Sequence, residues 1–392
     1  MVACSCVKTG NAVRFCQPAL IEIDDLRMNT ITITFHHTTN YGATFQTFAL
    51  HSYIRSLGHE NHVVETSSAS SFYNKCEEKS FRSLLICLYV NFFKFLRRKA
   101  GLKLIDEFQN FKFEHIKFTK CYDTYAELKA DDIDADCLIT GSDQVWNMHT
   151  TPEYVNARFL EFGREKAIRF SYAASIRVMD YTQEQKKYVK TQLSKFKGIS
   201  VREDSANKYL KAFIDKKIET IIDPVFLKTR EEWDAISKDS RIQEEKYILC
   251  YQVVSNDRMQ EVVNFLSKKT GYKIVSICCD SIKWIKSDYS FFDVSPQEFL
   301  GFYKNASIVV TTSFHGTALS LIYNKPVYSL VKGYSANRIV DLMNLCKLSE
   351  FVIDSDSKIP SPESIKWDKV NSLLDVKITE AKDYLNRMLN EE

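Results

Sequence analysis

The chain has 392 residues, 45% of them hydrophobic and 13% aromatic, with a formal net charge of +3. At roughly 150 residues per domain this is material for two cores plus additions. A charge so small, with no dense basic stripe, argues against nucleic acid as a partner, so any anion has to be met by local groups.

The eleven cysteines sit mostly in apolar runs, as at Cys87, Cys137, Cys250, Cys278, Cys279 and Cys346. That is the habit of reduced core thiols and points to a cytoplasmic protein. No CxxC pair occurs, and Cys4 and Cys6 make an isolated CxC, so zinc is not expected.

Residues 1–27 have no apolar h-region and read as a poorly ordered N-terminal extension, with an added edge element as the alternative. A strand follows at Ile31–Phe35, then the loop His36–Gly42 and a helix over Ala43–Leu57 that stops at Gly58. A strand resumes at Val63–Val64, which makes a parallel, right-handed βαβ unit. His36 and His37 are neighbours on what reads as extended chain, so at most one can face a site, and both are taken as structural.

Residues 71–119 change to basic-aromatic helices, including FRSLLICLYVNFFKFLRRK over 81–99. The run is too short and interrupted to span a bilayer. Lys94, Arg97, Arg98 and Lys99 fit either the solvated end of a packed helix or peripheral contact with the inner face of the membrane.

Strands return at Cys137–Thr140 and Ile168–Ala173, followed by a helix over about 183–197 with Thr182 and Gln185 as a capping box. A second series of strands reads at Ile199–Val201, Thr220–Ile222, Tyr247–Val254, Lys273–Ile277, Ser307–Thr311 and Val327–Leu330. Ser295-Pro296-Gln297-Glu298 is a helix start, and an amphipathic helix or helix pair fills about 362–389. The fold class is therefore α/β, with two Rossmann-like domains whose parallel sheets face a cleft. The boundaries are 28–197 and 198–350, with a C-terminal helical tail at 351–392. Ligands in such sheets bind beyond the carboxyl ends of the strands.

Four strand-end loops carry candidate chemistry. Thr312–Gly316 leads into a short helix beginning near Thr317, whose amides near Gly316 and Thr317 would face an anion. Gly316 would let the anion approach, and His315 could donate a proton. In Gly198–Ser205 a strand delivers Arg202, whose fork can take a carboxylate or phosphate; an ion pair with Glu203 or Asp204 is the alternative. Gly141–Asn147 is polar, and its Ser142, Gln144, Trp146 and Asn147 read as sugar contacts, with the indole stacking on a pyranose. The first βα turn, Thr38–Gly42, offers Asn40 and Gly42 but lacks GxGxxG spacing, so a dinucleotide is not expected.

These segments, in this order, resemble the polysaccharide pyruvyltransferase family. The resemblance rests on Asn40–Ala43 with Gln46, Ala49 and Leu50, then Gly141–Asn147, Tyr172–Ser175, Ser200–Glu203, Asp223-Pro224 with Trp233, and Ser313–Gly316. It runs over about residues 29–345. It implies a fold similar to the GT-B glycosyltransferases, phosphoenolpyruvate as donor, and a sugar acceptor, free or lipid-linked. The product would be a pyruvate ketal on a capsule or exopolysaccharide precursor. The resemblance places the donor's cation and acid at Arg202 and His315. Some relatives have a second arginine two residues before the histidine; here Ser313 stands there, and Arg338 is the candidate replacement. Donor contacts then fall on Arg202, Ser313, Phe314, Gly316, Thr317, Arg338, Asn40 and Gly42, with His315 as general acid and Asp143 as base. No metal or cofactor enters this scheme. The alternatives are a nucleotide-sugar glycosyltransferase on the same fold, since fold does not fix function, and a catalytically silent, membrane-associated subunit of a polysaccharide assembly complex.

Overall fold

The computed structural model describes residues 27–37, 39–67, 98–149, 154–242, 245–278, 285–332 and 336–390. The extension at 1–26 and most of the basic-aromatic stretch at 71–97, including its membrane reading, lie outside these residues. Among the described residues no helix is long and apolar enough to cross a membrane.

The first sheet is built from β1 (Asn29–Ile33), β2 (Glu60–Thr66), β3 (Phe118–Tyr122), β4 (Cys137–Thr140) and β5 (Ile168–Ser171). Its order is β3-β2-β1-β4-β5, and every pairing is parallel. β4, with its CLIT run, is buried along its whole length, as a parallel strand covered on both faces must be. The second sheet takes β8 (Tyr247–Tyr251), β9 (Lys273–Ile277), β10 (Tyr289–Phe291), β11 (Ile308–Thr311), β12 (Val327–Leu330) and β13 (Val352–Ile353). Its order is β10-β9-β8-β11-β12-β13, again parallel. Counted from its own first strand, the first sheet runs 3-2-1-4-5 and the second 3-2-1-4-5-6, the doubly wound order. The chain is thus α/β with two Rossmann-type parallel sheets, the plan of the GT-B fold.

The boundary expected at residue 198 is corrected. β6 (Ile199–Val201) and β7 (Ile218–Thr220) pair with each other. Parallel bridges Phe170↔Gly198 and Ala174↔Val201 tie β6 to the edge of β5. Their side chains Ile199, Val201 and Ile218, with Leu210 of the intervening helix Asp204–Lys211, share a core with Leu138, Trp146 and Phe196 of the first half. The two strands therefore form a small sheet set against the edge of the first, and the second large sheet begins with β8. At the other limit β13 carries that second sheet past residue 350.

The two halves close on one another. The helix Tyr41–Ser56 of the first half carries Tyr41, whose ring stacks on Phe299 at 3.8 Å and whose hydroxyl donates to the Val294 carbonyl at 2.7 Å. Phe45 and Phe48 meet Trp233 edge-on at 5.4 and 5.8 Å. The helix Trp367–Asn390 leaves the second half and returns to the first. There Tyr384 donates to the Ser171 carbonyl at 2.9 Å, and Arg387 bonds Glu219 at 3.0 Å.

Candidate active site

In each sheet the switch in strand order falls between the first and fourth strands, β1/β4 and β8/β11, and the loops after these strands face the same cleft. The site is assembled there around Asp223. This aspartate precedes Pro224 and caps the turn Pro224–Leu227, its Oδ1 accepting from the Val225 amide at 3.0 Å. Its Oδ2 accepts from Arg202 Nη1 at 2.6 Å and from Ser142 Oγ at 3.1 Å, and lies 3.4 Å from His315 Nε2. The side chain is fully buried. Burial alone would raise its pKa, but His315, Arg202 and the Val225 amide outweigh it and hold the carboxyl well below the usual range.

Arg202 stands where the sequence places it, at the carboxyl end of β6. Its Nε donates to Glu203 Oε1 at 3.1 Å, so the neighbouring ion pair is realised as well. Glu203, Asp223 and Asp143 overcome the cost of burial and raise its pKa further. The Phe314 ring lies over the guanidinium at 4.4 Å. Nη2 is buried without a hydrogen-bond partner among the described residues. Asp143 Oδ1 lies 4.0 Å from it and 3.9 Å from Arg338 Nη1, so one carboxylate stands between two guanidiniums. Asp143 is held there by a left-handed backbone at φ 71°, a conformation Asp tolerates better than most residues, and Ala173 at the end of β5 shares it at φ 50°. Burial, and then Arg202, push the Arg338 pKa down.

Arg202, Asp223, Phe314, Arg338, Asp341 and Lys377 line part of an open pocket of about 570 Å³. Burial and the nearby Asp204 and Glu203 raise the pKa of Asp341. His315 sits behind Asp223, 8% exposed, and does not line this pocket. A Cβ added at Gly42 would fall 2.1 Å from His315 Nδ1, so the absence of a side chain there makes room for the ring. Gly42 thus serves the imidazole directly.

Arg202, His315, Arg338 and Asp143 are brought together; several other expected residues are not. The helix after β11 spans Phe314–Ile322, three residues earlier than expected, because Ser313 caps it. The Gly316 amide donates to Ser313 Oγ at 3.2 Å and the Thr317 amide to the Ser313 carbonyl at 2.9 Å, so neither is free for an anion. A Cβ at Gly316 would lie 2.6 Å from Thr311 Oγ1, so that glycine answers to packing. Asn40 accepts from the Ala43 amide as a helix cap. Trp146 is 1% exposed and stacked on Phe159 at 5.6 Å, which removes it as a platform for a sugar. Ser142 and Asn147 are buried too, Ser142 donating to Asp223 and Asn147 accepting from the His149 amide. The Gln144 amide donates to Asp143 Oδ1 at 2.9 Å, which helps to position that carboxylate.

The paired histidines also depart from expectation. β1 ends at Ile33, so His36 and His37 do not lie on extended chain, and both rings meet Glu65. Sequence reading gave no role to Asp223, Asp341 or Lys377, and offered Glu203 only as an ion-pair partner of Arg202. An aspartate before proline at a strand end was the available signal for the first.

The family model described as polysaccharide pyruvyl transferase matches residues 40–331. No curated protein matches the chain. Among solved structures, UDP-N-acetylglucosamine 2-epimerase from Rickettsia bellii has 14% identity and a TM-score of 0.42, covering 92% of this chain and 98% of its own. The UDP-GlcNAc 2-epimerase from Methanocaldococcus jannaschii has 11% identity and a TM-score of 0.47, covering 90% and 92%. A glycosyltransferase from Rickettsia africae has 10% identity and a TM-score of 0.44, covering 93% and 100%. No statement about function rests on likenesses of this size.

Proposed function

Since this chain belongs to the polysaccharide pyruvyl transferase family, we propose that it transfers the pyruvyl unit of phosphoenolpyruvate to a sugar of a polysaccharide or its precursor, forming a ketal and releasing phosphate. One observation carries the reading: Asp223 joins the guanidinium of one half to the imidazole of the other, at the edge of a pocket that also holds Arg338.

Phosphoenolpyruvate brings roughly three negative charges at neutral pH. Arg202 is largely neutralised by its own carboxylates, so its unpartnered Nη2, Arg338 and Lys377 are the donors left for the substrate. In this reading the methylene end of the substrate reaches past Asp223 at the pocket's edge to His315, which donates a proton to that carbon; it becomes a methyl group and leaves an oxocarbenium-like centre. A sugar hydroxyl adds to that centre and gives its proton to the now neutral His315, while the proton of the second hydroxyl leaves with the phosphate. The carbon–oxygen bond to phosphate then breaks, and a second hydroxyl closes the ketal. Asp223 orients the imidazole and stabilises its protonated form. Asp143, set between two guanidiniums, keeps them spaced, and this role suits it better than that of base.

The test is phosphate release from phosphoenolpyruvate in the presence and absence of a sugar acceptor, with thermal shifts for phosphoenolpyruvate, UDP-sugars and GDP-sugars. Acceptor-dependent release and stabilisation by phosphoenolpyruvate are expected. Stabilisation by a nucleotide sugar alone would overturn the proposal in favour of glycosyl transfer.

A further inference from the structure

Away from Asp223, at the carboxyl edge of the first sheet, three side chains converge that the proposed reaction does not use. His36 Nε2 lies 3.1 Å from Glu65 Oε2, and His37 Nδ1 lies 3.5 Å from Glu65 Oε1. One donor atom from each residue falls within 4.8 Å of the others.

The outer contacts decide how these groups are presented. His36 Nδ1 faces the Thr34 carbonyl at 3.2 Å, and a carbonyl can only accept. With the proton on that nitrogen, the Nε2 lone pair of a neutral ring points at a carboxylate oxygen; with it on Nε2, the ring donates to Glu65 instead. In the first tautomer two electron-rich atoms lie 3.1 Å apart, an arrangement that a metal ion between them would satisfy. His37 is arranged in the same sense: its Nε2 meets Thr66 Oγ1 at 2.8 Å, which leaves Nδ1 for Glu65 or an ion. Ligating histidines characteristically fix their other nitrogen on a carbonyl or hydroxyl oxygen in this way.

We propose that His36, His37 and Glu65 form a binding site for a divalent first-row transition ion of the zinc class. Two imidazoles and a carboxylate suit such an ion, with a fourth position left for water. The cysteines play no part, so the argument against a thiolate site is untouched. His36 is buried at 1% side-chain exposure, while His37 and Glu65 are 20% and 25% exposed, which provides a path of entry. Ligand atoms around tetrahedral zinc lie about 3.3 Å apart, given bonds of about 2.0–2.1 Å, so the half-open His37 would move inward on binding. The ion would pin the loop after β1 to the end of β2. That loop leads to Asn40 and Gly42, and Gly42 faces His315. Lys112 donates to the His36 carbonyl at 3.1 Å, so a positive charge already stands nearby and tunes the affinity downward.

The experiment is a zinc titration of the full-length, chelator-stripped protein by calorimetry, with cobalt(II) absorption as a second readout. Wild type should take up one zinc per chain and give the visible bands of low-coordinate cobalt. His37→Ala and Glu65→Gln should each weaken zinc at least ten-fold and abolish those bands; His37 is partly exposed, so its variant should fold even if the other does not. No stoichiometric uptake by wild type would overturn the proposal and leave a proton on His36 closing the contact. Equal affinity in wild type and variants would overturn it too, by assigning the zinc to thiols. Neither readout depends on transferase activity, so the proposal stands or falls apart from the function proposed above.

Discussion

The carboxyl ends of the two sheets can be compared loop by loop. The first half carries Asp143, Arg202, Glu203 and Asp223 after β4, β6 and β7; the second carries Thr312, Ser313 and His315 after β11, and Arg338 from the helix Ala336–Leu345 beyond β12. Strand order is shared, so topology does not explain the contrast. The first half holds Arg202 already matched by Asp223 and Glu203, whereas the second supplies one titratable ring and the cations Arg338 and Lys377. Charge that must not move and a proton that must move are thereby assigned to different halves, and Asp223 is the contact between them.

The strongest way to break this comparison is to remove that contact. Asp223→Ala strands Arg202 in a buried site with Glu203 as its main partner, and losing one member of such a pair costs about 3–5 kcal/mol. Urea denaturation should register that loss, and turnover should vanish with it. The pH dependence has a definite sign. The carboxyl is held below its ordinary value in the fold, so its stabilisation is complete above about pH 4 and is lost as the pH falls further. The acid limb of the wild-type stability curve should therefore be shallower in the variant, with Glu65, Asp293 and Glu298 supplying what remains.

His315→Ala tests the other half. Turnover should fall by about 10²–10⁴-fold, with a smaller loss of stability than in Asp223→Ala because Arg202 and Ser142 still hold the carboxylate, and a near-normal rate would show that the mobile proton comes from elsewhere. Trp146→Ala sharpens the account of the first half. The buried indole should cost about 3–5 kcal/mol in the melt, yet the acceptor KM should stay at the wild-type value in the more conservative Trp146→Phe. Gly42→Ala is the mildest. Its new methyl must displace His315 at a cost of about 1–3 kcal/mol, read as a roughly ten- to hundred-fold fall in kcat with donor affinity retained.

Much of the framework was legible in the residues. Apolar runs such as Cys137–Thr140 and Val327–Leu330 mark strands buried on both faces, and the capping boxes at Thr182 and Ser295 form as read. Short or polar strands escaped: ENHVVET in β2 alternates around buried Asn61, which bonds Thr30 and Thr32 of β1, so its first half has no hydrophobic signature. β6 was seen but given to the wrong half, since three apolar residues say nothing about which edge they join. At the site, Arg202 and His315 were legible because strand ends present side chains to a cleft. Trp146 was misjudged because burial of an indole in a polar loop depends on Phe159, thirteen residues on and adjacent only in the fold. The amides at Gly316 and Thr317 were misjudged because a capping serine one turn earlier already satisfies them.

The returning helix Trp367–Asn390 bears on how the protein is made. Gly198, next to β6, has Met388 Sδ where a Cβ would place it only 2.3 Å away, and Tyr384 bonds Ser171 in β5. The amino-terminal sheet thus waits for the final helix before its outer strands are covered. A ribosome paused ahead of residue 367 would hold that sheet with its flank unsealed, and chaperone capture during synthesis should concentrate there.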